Sequence, residues 1–207
     1  MSKQRLDKLL AAQGRWSRRE VRDLTDRGLV TLNGAPCRRA DTKVDADADT
    51  VAVGGQEVPL REHVYIMLHK PAGVVSATRD DSRPTVVDLV PPELGRRGLF
   101  PAGRLDMDSE GLLLLTNDGE LMQRLIHPSF QVDKAYEVEV SGFRAGADAE
   151  LASVTELDGE PIFPATVEIL TQSGDRALLS VVIHEGKNRQ IRRMCARCGL
   201  TVRRLRR

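Results

Sequence analysis

Apolar positions change their period several times along the chain, and each change marks an element. Leu6, Leu9 and Leu10 recur at i, i+3, i+4, which predicts a short helix with one side hidden. Ser17 followed by Glu20 is a capping box opening a second helix, with Val21 and Leu24 inward and Gly28 ending it. The period then shortens to two. VTLNG alternates as a strand and breaks at Asn33-Gly34, a hairpin signal, and another short strand is predicted at 50–53. GGQEVPLRE reads as a boundary.

Beyond the boundary, YIMLHKPAGVVSAT predicts a strand, a turn at Lys70-Pro71 and Gly73, and a second strand. RPTVVDLVPPEL reads as a loop and a short helix, and the four leucines 112–115 as a buried strand. Asn117-Asp118-Gly119 makes a turn; ELMQRLIHP follows as a helix with Leu121, Met122, Leu125 and Ile126 inward, stopped by Pro128. AYEVEVSG, ATVEILT and ALLSVVIHEG alternate as strands. KNRQIRRMCARCG closes as a helix with a buried stripe of Ile191, Met194, Cys195 and Cys198, capped by Gly199. Several strands with few helices between them predict an α+β chain: a small N-terminal α/β module over 1–60, then a domain over 63–207 built on a largely antiparallel mixed sheet with flanking helices.

Charge sharpens the picture. The net value of +1 conceals ten Lys and Arg against four Asp and Glu in residues 1–40, and nine against one in residues 185–207, around an acidic middle. Two basic poles point to a polyanionic partner. No stretch approaches membrane-spanning length, and MSKQRLDKLL lacks an apolar signal core. Three cysteines fit a reducing cytoplasm better than a disulfide framework, and the lone Cys195/Cys198 pair reads as helix interior rather than a zinc site. Arg5 and Lys8 share a side of the first helix; Arg18 and Arg22 share a side of the second, with Arg19 beside them. Like charges at i, i+4 repel unless an anion lies between them, so these faces point to nucleic-acid phosphate. RLDKLLAAQG…SRREVRDLTDRGLVTLNG resembles the small RNA-binding domain of ribosomal protein S-four, over roughly 3–50.

In GRLDMDSEGLLLLTNDGEL, three acids (Asp106, Asp108, Glu110) adjoin Arg104 immediately before a core strand. A carboxylate there must be paired or strongly hydrogen-bonded. Either it is a structural ion pair, Arg104 with Asp108, or a catalytic carboxylate at a strand edge held ionised by an arginine. This stretch resembles the defining motif of the RsuA family of ribosomal RNA pseudouridine synthases. HKPAGVVSAT, Lys134-Ala-Tyr136 and EGKNRQIRRM match further family segments in order and spacing, so the resemblance covers almost the whole chain. It implies the pseudouridine synthase fold and isomerisation of a uridine already in RNA, with no cofactor and no metal. By motif, Asp106 is the implied catalytic residue, Tyr136 the platform stacking on the target base, and Arg192 the basic partner of Asp106, with Arg189 and Arg193 as alternatives on that helix. Arg104, Lys70 and Arg193, together with Arg5, Lys8, Arg18, Arg19 and Arg22 of the N-terminal module, are the implied RNA contacts; Lys70 reads equally well as a turn residue.

The implied partner is ribosomal RNA in partly assembled subunits, met by a cytoplasmic monomer. YIMLHKPAGVVSATRDDSRPTVVDLV looks most like the small-subunit branch of the family, whereas LIHPSFQVDKAYEVEVSG and EGKNRQIRRM lean toward the large-subunit branch. Weighting the segments nearest the N-terminal module favours small-subunit rRNA. A non-catalytic RNA-binding assembly factor is the alternative, disfavoured by the intact Asp106, Tyr136 and Arg192 set. Relatives continue past VRRLRR with a further strand and tail, so a shortened C-terminal end is expected.

Overall fold

The computed structural model describes residues 3–60 and 63–207. The chain divides into two compact units: Met1–Ile66 with Val87–Phe100 and Leu115–Asp118, and Met67–Val86 with Pro101–Leu114 and Gly119–Arg207. In the first, β1 (Gln4–Arg5) leads into α1 (Leu6–Ala11) and α2 (Arg18–Asp26), followed by β2 (Val30–Leu32), β3 (Ala35–Pro36), β4 (Lys43–Val44), β5 (Val51–Val53) and β6 (Gln56–Glu57). The strands form an antiparallel sheet in the order β3-β2-β5-β6 and a separate β1-β4 pair.

The local signals act as expected there. Ser17 and Glu20 form both halves of the capping box. Asn33 and Gly34 both take positive φ, 51° and 81°, as a two-residue hairpin turn between β2 and β3 requires. Leu6, Leu9, Leu10, Val21, Val30, Val44 and Val51 make one core. Val58 is buried in that same core and Gly54-Gly55 turns β5 into β6, so the first part of the expected boundary belongs to the module. Arg61 and Glu62, at its far end, lie outside the described residues.

One charge of this unit is not on the surface. Asp7 is fully buried, and its carboxylate accepts from Arg5 Nε and Nη2 at 3.0 and 2.9 Å and from Arg18 Nε and Nη2 at 3.3 and 2.9 Å. Burial pushes the Asp7 carboxyl up, but the two guanidinium groups hold it below its ordinary range. The anion that relieves Arg18 is therefore internal. Arg5 and Arg18, read from the sequence as RNA contacts, are committed to Asp7, while Lys8, Arg19 and Arg22 are exposed.

Next come β7 (Tyr65–Lys70), α3 (Pro92–Gly95), β8 (Phe100–Pro101) and β9 (Gly111–Thr116), with sheet order β7-β9-β8. The second strand expected after Gly73 does not form; Val75 makes a single parallel bridge to Thr85. Its neighbour Ser76 is drawn instead to Leu105, donating Oγ to the Leu105 carbonyl at 2.7 Å and accepting the Leu105 amide at 3.1 Å. The apolar face expected on α4 (Gly119–Ile126) is also not enclosed: none of its residues is buried, and Ile126 is 41% exposed.

The remaining elements are a 3-10 turn (Pro128–Phe130), β10 (Lys134–Ser141), α5 (Ala147–Ala152), β11 (Glu156–Leu157), β12 (Glu160–Pro161), β13 (Thr166–Ser173), β14 (Arg176–Ile183), α6 (Gln190–Arg197) and β15 (Thr201–Arg206). The main sheet runs β13-β14-β10-β15 with all neighbours antiparallel. Val138, Val140, Leu179 and Val181 of the sheet share a core with Leu151 of α5 and Ile191, Met194 and Cys195 of α6. Cys195 and Cys198 are interior residues of this core, and burial pushes the Cys195 thiol up to about 12. The architecture is α+β.

The last strand also meets the start of β9 in a parallel step. The Glu110 amide donates to Leu205 O, Arg207 N to Glu110 O, and Leu112 N to Arg207 O, each at 3.0 Å. The approach is so close that a Cβ on Gly111 would lie 2.3 Å from Arg207 O, and Gly111 has a φ of 109°. Gly111→Ala therefore combines backbone strain with a clash against backbone, and we expect a loss of about 2–4 kcal/mol in urea denaturation. An unchanged midpoint would refute this close packing.

Candidate active site

The site is assembled around the turn 105–110, between β8 and β9, and the group that shapes this turn is Lys70 at the end of β7. Lys70 is fully buried. Its Nζ donates to Pro71 O at 3.0 Å, Asp106 O at 3.1 Å and Ser109 O at 2.7 Å, using all three ammonium protons on carbonyls. Burial lowers the Lys70 pKa, and the nearby carboxylates of Asp106, Asp108 and Glu110 oppose that shift. Lys70 is thus an internal clamp, and the alternative reading as a phosphate contact fails because no part of it reaches solvent. The turn is pinned at further points: Gly73 N donates to Met107 O at 2.7 Å, Ser109 N to Asp106 O at 3.0 Å, and Ser76 holds Leu105 on both its polar backbone groups.

Two arginines, Arg189 just before α6 and Arg192 within it, reach the same turn. Arg189 grips Asp108 bidentately at 3.2 and 3.0 Å, and Arg192 donates to Asp108 O at 3.0 Å and Ser109 Oγ at 3.3 Å while its guanidinium lies 3.4 Å from the Asp108 carboxylate. The hydrogen bonds from Arg189 hold the Asp108 carboxyl below its ordinary range. Asp106 is treated differently. Its nearest cation is Arg189 at 3.8 Å, an ion pair too long to be a hydrogen bond, and no hydrogen bond reaches its carboxylate among the described residues. So the arginine beside Asp106 is Arg189, and Arg192 holds the neighbouring turn. Nor does Arg104 pair with Asp108; Arg189 and Arg192 do. Arg189 adopts a left-handed backbone, φ 46° and ψ 34°, immediately before α6. That conformation costs a non-glycine residue roughly 1–3 kcal/mol and is retained where surroundings over-determine it.

Asp106 opens into a cavity of about 240 Å³ shared with Arg104, Leu105, Ser109, Tyr136, Ile183 and residues 186–191. This is the scale of a single base rather than a drug-sized ligand. Tyr136, on β10 opposite Val181 of β14, lines the wall and is mostly buried. Burial raises its phenol pKa, against the pull of the Arg207 guanidinium. Asp106, Tyr136 and Arg104 are therefore brought together as expected. Arg193 is not with them: it pairs with Asp158 on the hairpin between β11 and β12. Gly73 reads in the sequence only as a turn residue, and Ser76 and Ser109 escape sequence reasoning, since a lone serine in an apolar run carries no signal of a partner 29 residues away.

Lys70→Met keeps the aliphatic stem but leaves three carbonyls without their donor, costing on the order of 3 kcal/mol of stability. Displacement of the turn should also reduce turnover by on the order of a hundredfold. Urea denaturation and single-turnover kinetics check the two effects; a stable, fully active variant would remove Lys70 from this role.

Comparison with known proteins agrees with the geometry. Residues 64–197 match the RNA pseudouridylate synthase family and residues 4–50 match the S4 domain. YtzG, an uncharacterized RNA pseudouridine synthase of Bacillus subtilis, is 43% identical over 94% of this chain and 82% of its own length. The ribosomal large subunit pseudouridine synthase B of Bacillus subtilis is 38% identical over 99% of this chain and 84% of its own length. A crystal structure of a pseudouridylate synthase superposes with a TM-score of 0.63 at 30% identity, covering 98% of this chain and 86% of that one. The chain belongs to the RNA pseudouridylate synthase family: it is an RNA pseudouridine synthase with an N-terminal S4 domain.

Proposed function

We propose that the chain isomerises a uridine of ribosomal RNA, with the S4 domain at 1–60 as RNA-binding module and 63–207 as catalytic domain. The observation that supports this most is the Asp106 carboxylate, open to a base-sized cavity beside Tyr136 while the arginines engage its neighbour Asp108. A target uridine leaves its stack to enter that cavity. Tyr136 stacks on the uracil, and Asp106 acts at the ribose, as nucleophile at the anomeric carbon or by assisting formation of a glycal. The bond from N1 to the anomeric carbon breaks, the detached uracil turns over, and its C5 bonds to the same carbon. C5 loses a proton and N1 gains one, so the reaction is an isomerisation. Arg189 stabilises the Asp106 charge from 3.8 Å, and Arg104 at the cavity wall positions RNA.

For the target, the relative named for the large subunit weighs more than the likeness of 65–90 to the small-subunit branch, because it extends over 99% of the chain. Large-subunit rRNA, in partly assembled particles, is therefore our reading, with a monomeric enzyme working in the cytoplasm. No helix among the described residues is long and apolar enough to cross a membrane. Purified enzyme offered both rRNAs, naked and in partial particles, should form pseudouridine in the large-subunit RNA; product in small-subunit RNA alone would reverse the assignment.

Asp106→Asn should abolish turnover, by at least about a thousandfold, with RNA affinity nearly unchanged, because the amide keeps shape but cannot act as nucleophile or base. Turnover in a clean preparation would exclude Asp106 from catalysis. Replacing the exposed Lys8, Arg19 and Arg22 together should flatten the dependence of log affinity on log salt by about 2–3. Arg5 and Arg18 are unsuited to this test, since their loss strands the buried Asp7. An unchanged slope would show that the three exposed cations touch no phosphate.

A further inference from the structure

Two phenylalanine side chains stand in solvent on segments tied to residues that lead into the cavity, and the reaction leaves them unused. The chain has four Phe, two Tyr and one Trp; Tyr65 is exposed as well, but its hydroxyl donates to Asp118. Phe130 is 54% exposed and Phe163 is 53% exposed. Both belong to segments tied to consecutive residues that run into the cavity wall at Gly186. Asp133, just after Phe130, bonds His184 Nδ1 at 2.6 Å, and the Phe163 amide donates to Glu185 Oε1 at 3.0 Å. On the far side of Phe130, Ile126 lies 3.5 Å from the Cβ position of Gly103, next to the cavity residue Arg104.

The Phe130 turn is also held in place. The His127 ring accepts the Ser129 amide and packs edge-on against Phe130 at 6.3 Å between centroids. Gln131 closes the turn with a φ of 46°. Among the described residues four non-glycine residues have such φ values; Asn33 and Asp158 sit in hairpin turns followed by glycine, Gln131 ends the 3-10 turn as its left-handed cap, and Arg189 stands at the cavity. The cap fixes the end of the turn that carries Phe130.

We propose that Phe130 and Phe163 are stacking platforms for unpaired bases flanking the target uridine. The inference rests on the reading of the site as one that takes an extruded uridine from RNA. Once one base is extruded, its neighbours lose a stacking partner, and an exposed ring at the rim replaces it without reading their identity. RNA is favoured over a protein partner because both segments are bonded to His184 and Glu185, which run directly into the cavity that receives the nucleotide.

The test uses the full chain with Asp106→Asn, so that binding is read without turnover, and transcripts of both ribosomal RNAs as probes. Phe130→Leu and Phe163→Leu should each weaken binding on the order of tenfold, since a stacked base is worth about 1–3 kcal/mol, and Phe→Trp at either position should restore it. Thermal melting should not move, because neither ring is enclosed. Equal affinity for all variants would overturn the proposal, as would leucine binding as well as phenylalanine, or affinity loss with a lowered melting point that Trp does not rescue. An effect seen only when ribosomal proteins are present would also overturn it, assigning the rings to protein. Absence of pseudouridine with the unmodified enzyme would instead overturn the reaction assignment, a result distinguishable from any of these.

Discussion

A buried ammonium organises the catalytic centre. Lys70 brings one positive charge to a place without water, and that charge is tolerated because three carbonyls converge on its three protons. The requirement works in both directions. The lysine needs the carbonyls, so the chain from Asp106 to Ser109 must curl round it, and the curl fixes where the Asp106 side chain leaves the backbone. Ser76 and Gly73 then close the remaining freedom at Leu105 and Met107. On the proposed mechanism Asp106 acts at one carbon of a ribose, and such fixing serves that role, since reaction rates fall steeply with small errors of position.

The second feature of the site is a division of labour between carboxylates two residues apart. Asp108 takes the bidentate arginine and a second guanidinium, and its negative charge is spent in joining the turn to α6. Asp106 keeps an open carboxylate with a cation nearby but not bonded. A direct arginine hydrogen bond on both oxygens would stabilise the ground-state carboxylate and blunt it as a nucleophile. On the proposed mechanism, placing the strong pairing on the neighbour keeps a cation near Asp106 without that penalty.

In the N-terminal module the same chemistry serves a different end. A buried Asp7 draws Arg5 and Arg18 from separate segments onto one anion, tying β1 and α2 together through α1. Two cations on one carboxylate leave a positive excess at the surface, so the ion pairs support the fold and the face remains basic. Breaking one partner of such a buried pair is far more damaging than losing an exposed cation.

The sequence by itself determined the parts that local physics decides. Capping at Ser17 and Glu20, the hairpin at Asn33-Gly34, β10, β13 and β14 of the main sheet and the buried stripe of α6 all depend on neighbours within a few residues and were legible, whereas the edge strand β15 was not. Motif spacing likewise carried the family and the meeting of Asp106 with Tyr136. What it could not carry were partners chosen across long stretches of chain. VVSAT reads as a strand until Ser76 is claimed by Leu105; a solvated face reads as RNA-binding until Asp7 proves to lie between its arginines. Lys70 reads equally as a phosphate contact or a turn residue, and motif likeness favours Arg192 over Arg189 and Arg193 as the partner of Asp106 until α6 is docked with Arg189 and Arg192 on the turn and Arg193 on the hairpin. The period of a helix says which residues share a face, but burial and pairing are properties of the surface that face meets, and only the tertiary structure supplies that surface.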